Sequence, residues 1–264
     1  MLPTPSTSHL SFDSIYEPAE DSYLFLDTLS DSEEISWLSS RFNKTRSSPP
    51  IILEVGTGSG VVLSFLAANS KHILGRSDIL TLGTDVNEIA CTATRKTVEI
   101  AIKEDRAVEN SGDIERDAAD ARAILHPLAV ITADLCSPFR AGTVDILLFN
   151  PPYVPTSELP HLPEPTDVSS ASQSKFERES YLLSLSYAGG ELGMETTNRL
   201  LASIPSILSR DRGVAYVLLC AQNKPQDVMQ QIKNWGTGWS VEIAGRSGVK
   251  AGWERLIIIR IWRE

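Results

Sequence analysis

Seven short runs along the chain are apolar and rich in β-branched residues: Ile51–Val55, Leu80–Thr84, Leu128–Thr132, Val144–Phe149, Gly213–Cys220, Trp239–Ile243 and Arg255–Trp262. The first four are apolar nearly throughout, the pattern of strands covered on both faces. Between the runs, Val61–Asn69, Glu88–Lys103 and Thr196–Leu208 place apolar residues at helical spacing. Strands alternating with helices need crossover connections. This predicts an α/β fold whose seven-stranded sheet is mainly parallel, with helices on both faces. The last two runs, joined by a short Gly/Ser-rich turn around Arg246–Gly252, predict an antiparallel hairpin at one edge.

Three stretches look like elaborations on this pattern. Ser30–Pro50 is polar, with Trp37 as its anchor. Residues 103–122 are charged and are expected to extend the helix before the third strand. Residues 157–180 are rich in Pro, Ser and Glu and follow the most informative motif of the chain. The polar, Pro/Ser-rich residues 1–11 are expected to be flexible, with residues 1–264 forming one domain.

Composition narrows the function. With 264 residues, 42% of them apolar, the chain suits one undivided core. No apolar run approaches the ~20 residues that span a bilayer. The opening MLPTPSTSHLSF lacks the basic-then-apolar pattern of a secretory signal, so a cytoplasmic or nuclear location is expected. A formal net charge of −10 argues against nucleic acid, whose phosphates call for Lys and Arg. Cys91, Cys136 and Cys220 form no CxxC pair and suggest neither a disulfide framework nor a zinc site. They are expected to pack as reduced, small apolar side chains.

The first strand runs into Glu54-Val55-Gly56-Thr57-Gly58-Ser59-Gly60 just before a helix. Such glycines allow a sharp turn and close approach of a ligand to the backbone, and the helix N-terminus offers free N–H groups. Dinucleotide sites share this form, but they need a glycine where Val61 stands. Glu54 would sit poorly beside a pyrophosphate and well beside a positively charged amino-acid group. S-adenosylmethionine carries that group and a sulfonium cation. Glu54, Gly56 and Gly58 are therefore candidates for holding it, with a nucleotide site or a plain structural turn as competing readings. Asp85 ends the second strand, where an acid accepts ribose hydroxyls or caps a helix. Asp134 and Leu135 end the third. They offer an acceptor for an adenine amino group and an apolar wall, or else form a turn before Pro138.

Asn150-Pro151-Pro152-Tyr153 leaves the fourth strand. Two prolines hold the chain extended and stiff. The Asn150 side-chain carbonyl and the Pro151 backbone carbonyl then become two acceptors aimed at one NH₂ group, and Tyr153 offers a face on which a planar amide or base stacks. Catalysis by such a motif is mostly positioning and exclusion of water, since no His or Lys lies in it to act as a base. Neither a G-x-S-x-G elbow nor a P-loop occurs, and the four histidines lie mostly in polar stretches, which disfavours hydrolase readings.

Together these motifs resemble the class I methyltransferase fold and, more narrowly, the HemK-type family. Three passages resemble its short eukaryotic and archaeal branch: Tyr16-Glu17-Pro18-Ala19-Glu20-Asp21-Ser22, the Gly loop continuing into Val61-Val62, and Ala188-Gly189-Gly190-Glu191-Leu192-Gly193. The likeness covers residues 12–262, weakest across the three elaborated stretches. It implies methylation of a glutamine side-chain amide, flanked by glycines, in a translation release factor. It also implies that Ser22 contacts the amino-acid end of S-adenosylmethionine with Tyr16 nearby. Glu54, Gly56, Asp85, Asp134 and Leu135 would complete the cofactor site, and Asn150 would bridge cofactor and substrate. Finally, it implies a heterodimer with a small zinc-binding activator docked along the third-strand side of the sheet. The alternatives are an adenine-N6 nucleic-acid methyltransferase, a protein-lysine methyltransferase, and an inert methyltransferase-like subunit that only binds a partner.

Overall fold

The computed structural model describes residues 2–42, 48–110, 128–161, 174–248 and 255–264. Seven strands are present: β1 (Ile51–Val55), β2 (Leu80–Asp85), β3 (Leu128–Thr132), β4 (Ile146–Phe149), β5 (Val214–Cys220), β6 (Trp239–Arg246) and β7 (Leu256–Arg263). They form one sheet in the order β3-β2-β1-β4-β5-β7-β6. The five strands β1–β5 run parallel to one another. The terminal hairpin inserts β7 antiparallel between β5 and β6. The strand order reverses between β1 and β4, and α/β sheets bind ligands in the crevice at such a switch point.

Alternation along the strands divides the core. Ile52, Leu148, Tyr216 and Ile258 face one side, where they pack with α1 (Glu20–Ser30), α2 (Ser32–Phe42), α3 (Val61–Ala68), α4 (Ser70–Leu74) and Val98 of α5 (Glu88–Asn110). Leu53, Leu147, Val217 and Ile259 face the other, under α7 (Glu195–Ile207) and α8 (Pro225–Lys233). One further helix, α6 (Lys175–Tyr187), buries none of its residues. Among the described residues, no helix is long and apolar enough to cross a membrane.

The structure departs from the sequence pattern in instructive places. The fourth run begins as an isolated bridge between Val144 and Leu208, and regular pairing starts at Ile146. The polar stretch 30–50 contains α2, held by Trp37, whose ring meets Trp262 edge-on at 5.5 Å. α5 runs on past Lys103 to Asn110, in line with the expected extension of this helix; the remaining charged residues, 111–122, lie outside the described residues. Residues 162–173 of the expected 157–180 insertion also lie outside them, but its end is helical. Ser174 and Glu177 form a reciprocal capping box that starts α6. β3 is not covered on both faces: Val130 is buried, while Ala129, Ile131 and Thr132 are exposed, because β3 is an edge strand. Near the N-terminus, Leu10 and Phe12 pack against Ile15, Ala90 and Ala93.

Candidate active site at the carboxyl ends of the strands

A cavity opens where β1, β2, β3 and β4 end, lined by residues of β1, β2 and β4 and by Ala133, Asp134 and Leu135 just after β3. The Gly loop turns back under it because Gly56 N–H and Thr57 N–H both donate to the Thr84 carbonyl, at 2.7 and 3.2 Å. Gly60 ends the loop at φ +77°, and a Cβ there would lie 2.7 Å from Thr94 Cα, so glycine alone lets α3 start against α5.

Two carboxylates meet in this cavity. Glu54 is 3% exposed and accepts from Leu63 N–H at 3.1 Å. Burial raises its pKa well above the carboxylate range, an effect reduced by the Leu63 N–H and increased by the charge of Asp85. Asp85 uses both oxygens, accepting from Gly58 N–H at 3.0 Å and Asn87 N–H at 2.8 Å. Burial raises its pKa as well, against those backbone donors. A pair of desolvated acids favours a cation, which would supply the missing countercharge.

Asn150 stands at the other wall. Its Oδ1 is buried without a hydrogen-bond partner, and the residue lines the cavity together with Pro151 and Pro152. A buried acceptor left open costs free energy, so a donor is expected to enter from the cavity. The path after Asn150 is held from outside. Val154 N–H donates to the Tyr187 carbonyl at 3.0 Å, and Gly189 N–H donates to the Val154 carbonyl at 2.8 Å. Asn223, just beyond β5, donates from Nδ2 to the carbonyls of Leu192 (2.9 Å), Tyr153 (3.4 Å) and Gly193 (3.4 Å).

Tyr16, Ser22, Glu54, Gly56, Gly58, Asp85, Asp134, Leu135, Asn150 and Pro151 all line the one cavity. Tyr153 does not. Its side chain packs against the large core cluster while its carbonyl takes the Asn223 bond, so it offers no stacking face inside. Asp134 is already ion-paired with Arg199 of α7, an unexpected neighbour that also lines the cavity. Leu135 is held at φ +50°, a strained conformation of the kind found at functional sites.

Several lining residues were not among the individual site candidates of the sequence. Asp21 is 3% exposed and accepts from the Ser22 N–H at 2.6 Å. Asn87 donates to the Ser14 carbonyl at 2.8 Å and so ties the segment before α1 to the Asp85 side of the cavity. Leu159 and Pro160 line the cavity together with Leu182 and Leu185 of α6, two segments on either side of residues outside the described set. The three cysteines are free and buried, and among the described residues no His/Cys/Asp/Glu group is placed to hold a metal.

No family model matches the chain. It is, however, 31% identical over a 268-residue alignment to the "eRF1 methyltransferase catalytic subunit mtq2" of Schizosaccharomyces pombe, covering 100% of this chain and 96% of that one. The chain belongs to the HemK-type methyltransferase family. Mouse "Methyltransferase HEMK2" is 29% identical over 95% of this chain and 94% of its own length. A putative protein N5-glutamine methyltransferase of Methanocaldococcus jannaschii is 27% identical over 94% and 92%. The fold is shared with the E. cuniculi Mtq2–Trm112 complex, described as methylating the eRF1 translation termination factor (TM-score 0.53, 21% identity, 95% of this chain and 99% of that chain). The residues from Glu54 to Ser59 and Asn150, singled out in the sequence, line the same cavity.

Proposed function

We propose that this methyltransferase moves the methyl group of S-adenosylmethionine to the side-chain amide nitrogen of a glutamine in a translation release factor. The observation that carries this reading is the buried, unpartnered Oδ1 of Asn150, a hydrogen-bond acceptor facing a cavity whose far wall is acidic. The residues present fit the donor. Glu54 and Asp85 suit its cationic groups and ribose, and Gly56 and Gly58 let it approach the backbone. Asp134 and Leu135 suit its adenine end.

When bound, S-adenosylmethionine supplies an electrophilic methyl group on sulfur. Asn150 Oδ1 accepts one N–H of the incoming amide, and the Pro151 carbonyl is the second acceptor. These bonds hold the amide plane and aim its nitrogen along the cavity. The nitrogen gains a carbon and must release one proton. Among the described lining residues there is no histidine or lysine to take it, so the proton is released to water through the open mouth of the cavity. Leu159, Pro160, Leu182 and Leu185 give the cavity an apolar side that lowers the amount of water around the reacting groups.

The reading includes a heterodimer with a small zinc-binding activator, in a cytoplasmic or nuclear setting. The support is β3, whose only strand neighbour among the described residues is β2 and which leaves Ile131 exposed. An open apolar edge of this kind invites cover. The net charge of −10 favours a protein acceptor over nucleic acid. The test offers labelled S-adenosylmethionine to the chain with and without the activator. Release factor and an adenine-rich oligonucleotide compete as acceptors, and the product is mapped by mass spectrometry. Label on a glutamine amide is the expected result, and label on adenine alone would sink the proposal.

A further inference from the structure

Seven large apolar side chains are exposed among the described residues, and three of them share one corner: Val154, Tyr187 and Leu192. Backbone bonds knit that corner together. Val154 N–H reaches the Tyr187 carbonyl at 3.0 Å, and Thr156 N–H reaches the Gly190 carbonyl at 3.0 Å. Asn223 donates to the carbonyls of both Tyr153 and Leu192. The corner is continuous with the mouth of the cavity. Tyr187 sits in sequence between Ser186 and Ala188, which line the cavity, while the residue itself is 43% exposed.

Leu192 gives a second, independent observation. It adopts φ +54° and ψ 13°, the left-handed region that penalises a residue with a Cβ. Its side chain is nonetheless 47% exposed, so burial does not offset the strain. Glycine would serve the fold better at this position. A strained leucine displayed beside the acceptor mouth is explained by something that lands on it.

Three acids, Glu158, Glu191 and Glu195, are exposed at the corner against one exposed cation beside Asn223, Lys224, and none of the three pairs with a lysine or arginine among the described residues. Thr156 fastens the Glu158 segment by donating from its hydroxyl to the Glu158 carbonyl at 2.9 Å while accepting from Gly190 N–H at 3.0 Å.

From this geometry we infer that Val154, Tyr187 and Leu192 form a docking platform for the segment of the acceptor protein that flanks the methylated residue. The segment seats an apolar side chain on the three residues and turns basic side chains toward Glu158 and Glu191. This rests on the protein-acceptor reading above and deepens it: recognition extends outside the cavity to a short apolar and basic stretch.

The experiment is steady-state methylation of intact release factor by the chain with its activator, comparing wild type with Leu192→Gly and Tyr187→Ser. Leu192→Gly removes the side chain and relieves the backbone strain, so it folds at least as well. The expected result is a KM for the acceptor raised about tenfold, the effect of losing part of a buried leucine contact. The kcat and the affinity for S-adenosylhomocysteine stay unchanged. A short peptide carrying only the target residue and its immediate neighbours is methylated equally by all three proteins. Glu191→Lys raises the acceptor KM most at low salt, where electrostatic attraction is least screened. Unchanged acceptor KM in both apolar variants overturns the platform while leaving the proposed activity standing. Equal losses on the short peptide, or weaker S-adenosylhomocysteine binding, overturn it by showing a structural role. If wild type labels an oligonucleotide and not the release factor, the activity and the platform fall together.

Discussion

Gly193 lies so close beneath the Tyr153 carbonyl that a Cβ on it would stand 1.9 Å from that oxygen. The same glycine sits at φ +68°, and its own carbonyl takes one of the Asn223 bonds. The Gly-rich segment after α6 is therefore the outer brace of the Asn-Pro-Pro-Tyr path. Gly193→Ala must push that path inward or break the Asn223 contacts. The expected cost is about 2–4 kcal/mol of stability, from backbone strain and the clash together. Chemical denaturation should read that loss, with methylation falling more steeply than the folded fraction, because Asn150 is displaced. A variant with wild-type stability and turnover would show that the brace is not needed.

A second substitution tests the acceptor wall directly. Asn150→Ala removes the buried, unpartnered Oδ1. Turnover should fall by about 10²–10³, the usual penalty for losing a positioned transition-state contact. Binding of S-adenosylhomocysteine, followed by calorimetry, should change by no more than a few-fold. Surviving turnover would remove Asn150 from the mechanism.

The sequence carried the sheet and most of the cavity because both are local patterns. An apolar run makes β1, and the acid at its end, the glycines and Asn150 all sit within a few residues of a strand terminus. What it could not carry depends on distance. The ring of Tyr153 was expected inside the site and packs outside it, since the turn after two prolines is set by Gly189, Gly193 and Asn223, more than thirty residues away in the chain. Arg199 reaches Asp134 from a helix that periodicity identified but could not orient. α2 was hidden because its buried side is partly polar.

That polar side is a network with its own prediction. Glu34 of α2 accepts from the Tyr216 hydroxyl of β5 and from Arg260 of β7 at 2.6 Å, and Arg260 also lies 4.2 Å from the centre of the Trp37 ring. Burial and the Glu34 charge raise the Tyr216 pKa far above its ordinary value. Glu34→Ala would leave a buried guanidinium without its main partner. It should cost about 3–5 kcal/mol in equilibrium unfolding, the penalty for breaking one side of a buried ion pair. A loss under about 1 kcal/mol would mean that water replaces the carboxylate, as at an exposed pair.

The Glu54 carboxyl makes the cavity sensitive to pH. Burial holds its pKa well above the ordinary carboxylate value in the folded chain, so between those two values the folded state binds a proton that the unfolded state has released. The sign follows: this group adds stability to the ligand-free protein at low pH, and the contribution is lost as pH rises through the folded pKa. A cationic ligand favours the ionised form, so its binding should expel the proton and strengthen as pH rises across the same window. Two measurements check this. Thermal unfolding of the ligand-free protein should show a Tm that declines with pH over that window, and Glu54→Gln should flatten the decline. Calorimetric titration with S-adenosylhomocysteine in buffers of different ionisation enthalpy should show protons released by wild type, with fewer from the variant. Equal proton release from both proteins would place the titrating group elsewhere, with Asp85, whose pKa is also raised by burial, as the group to substitute next.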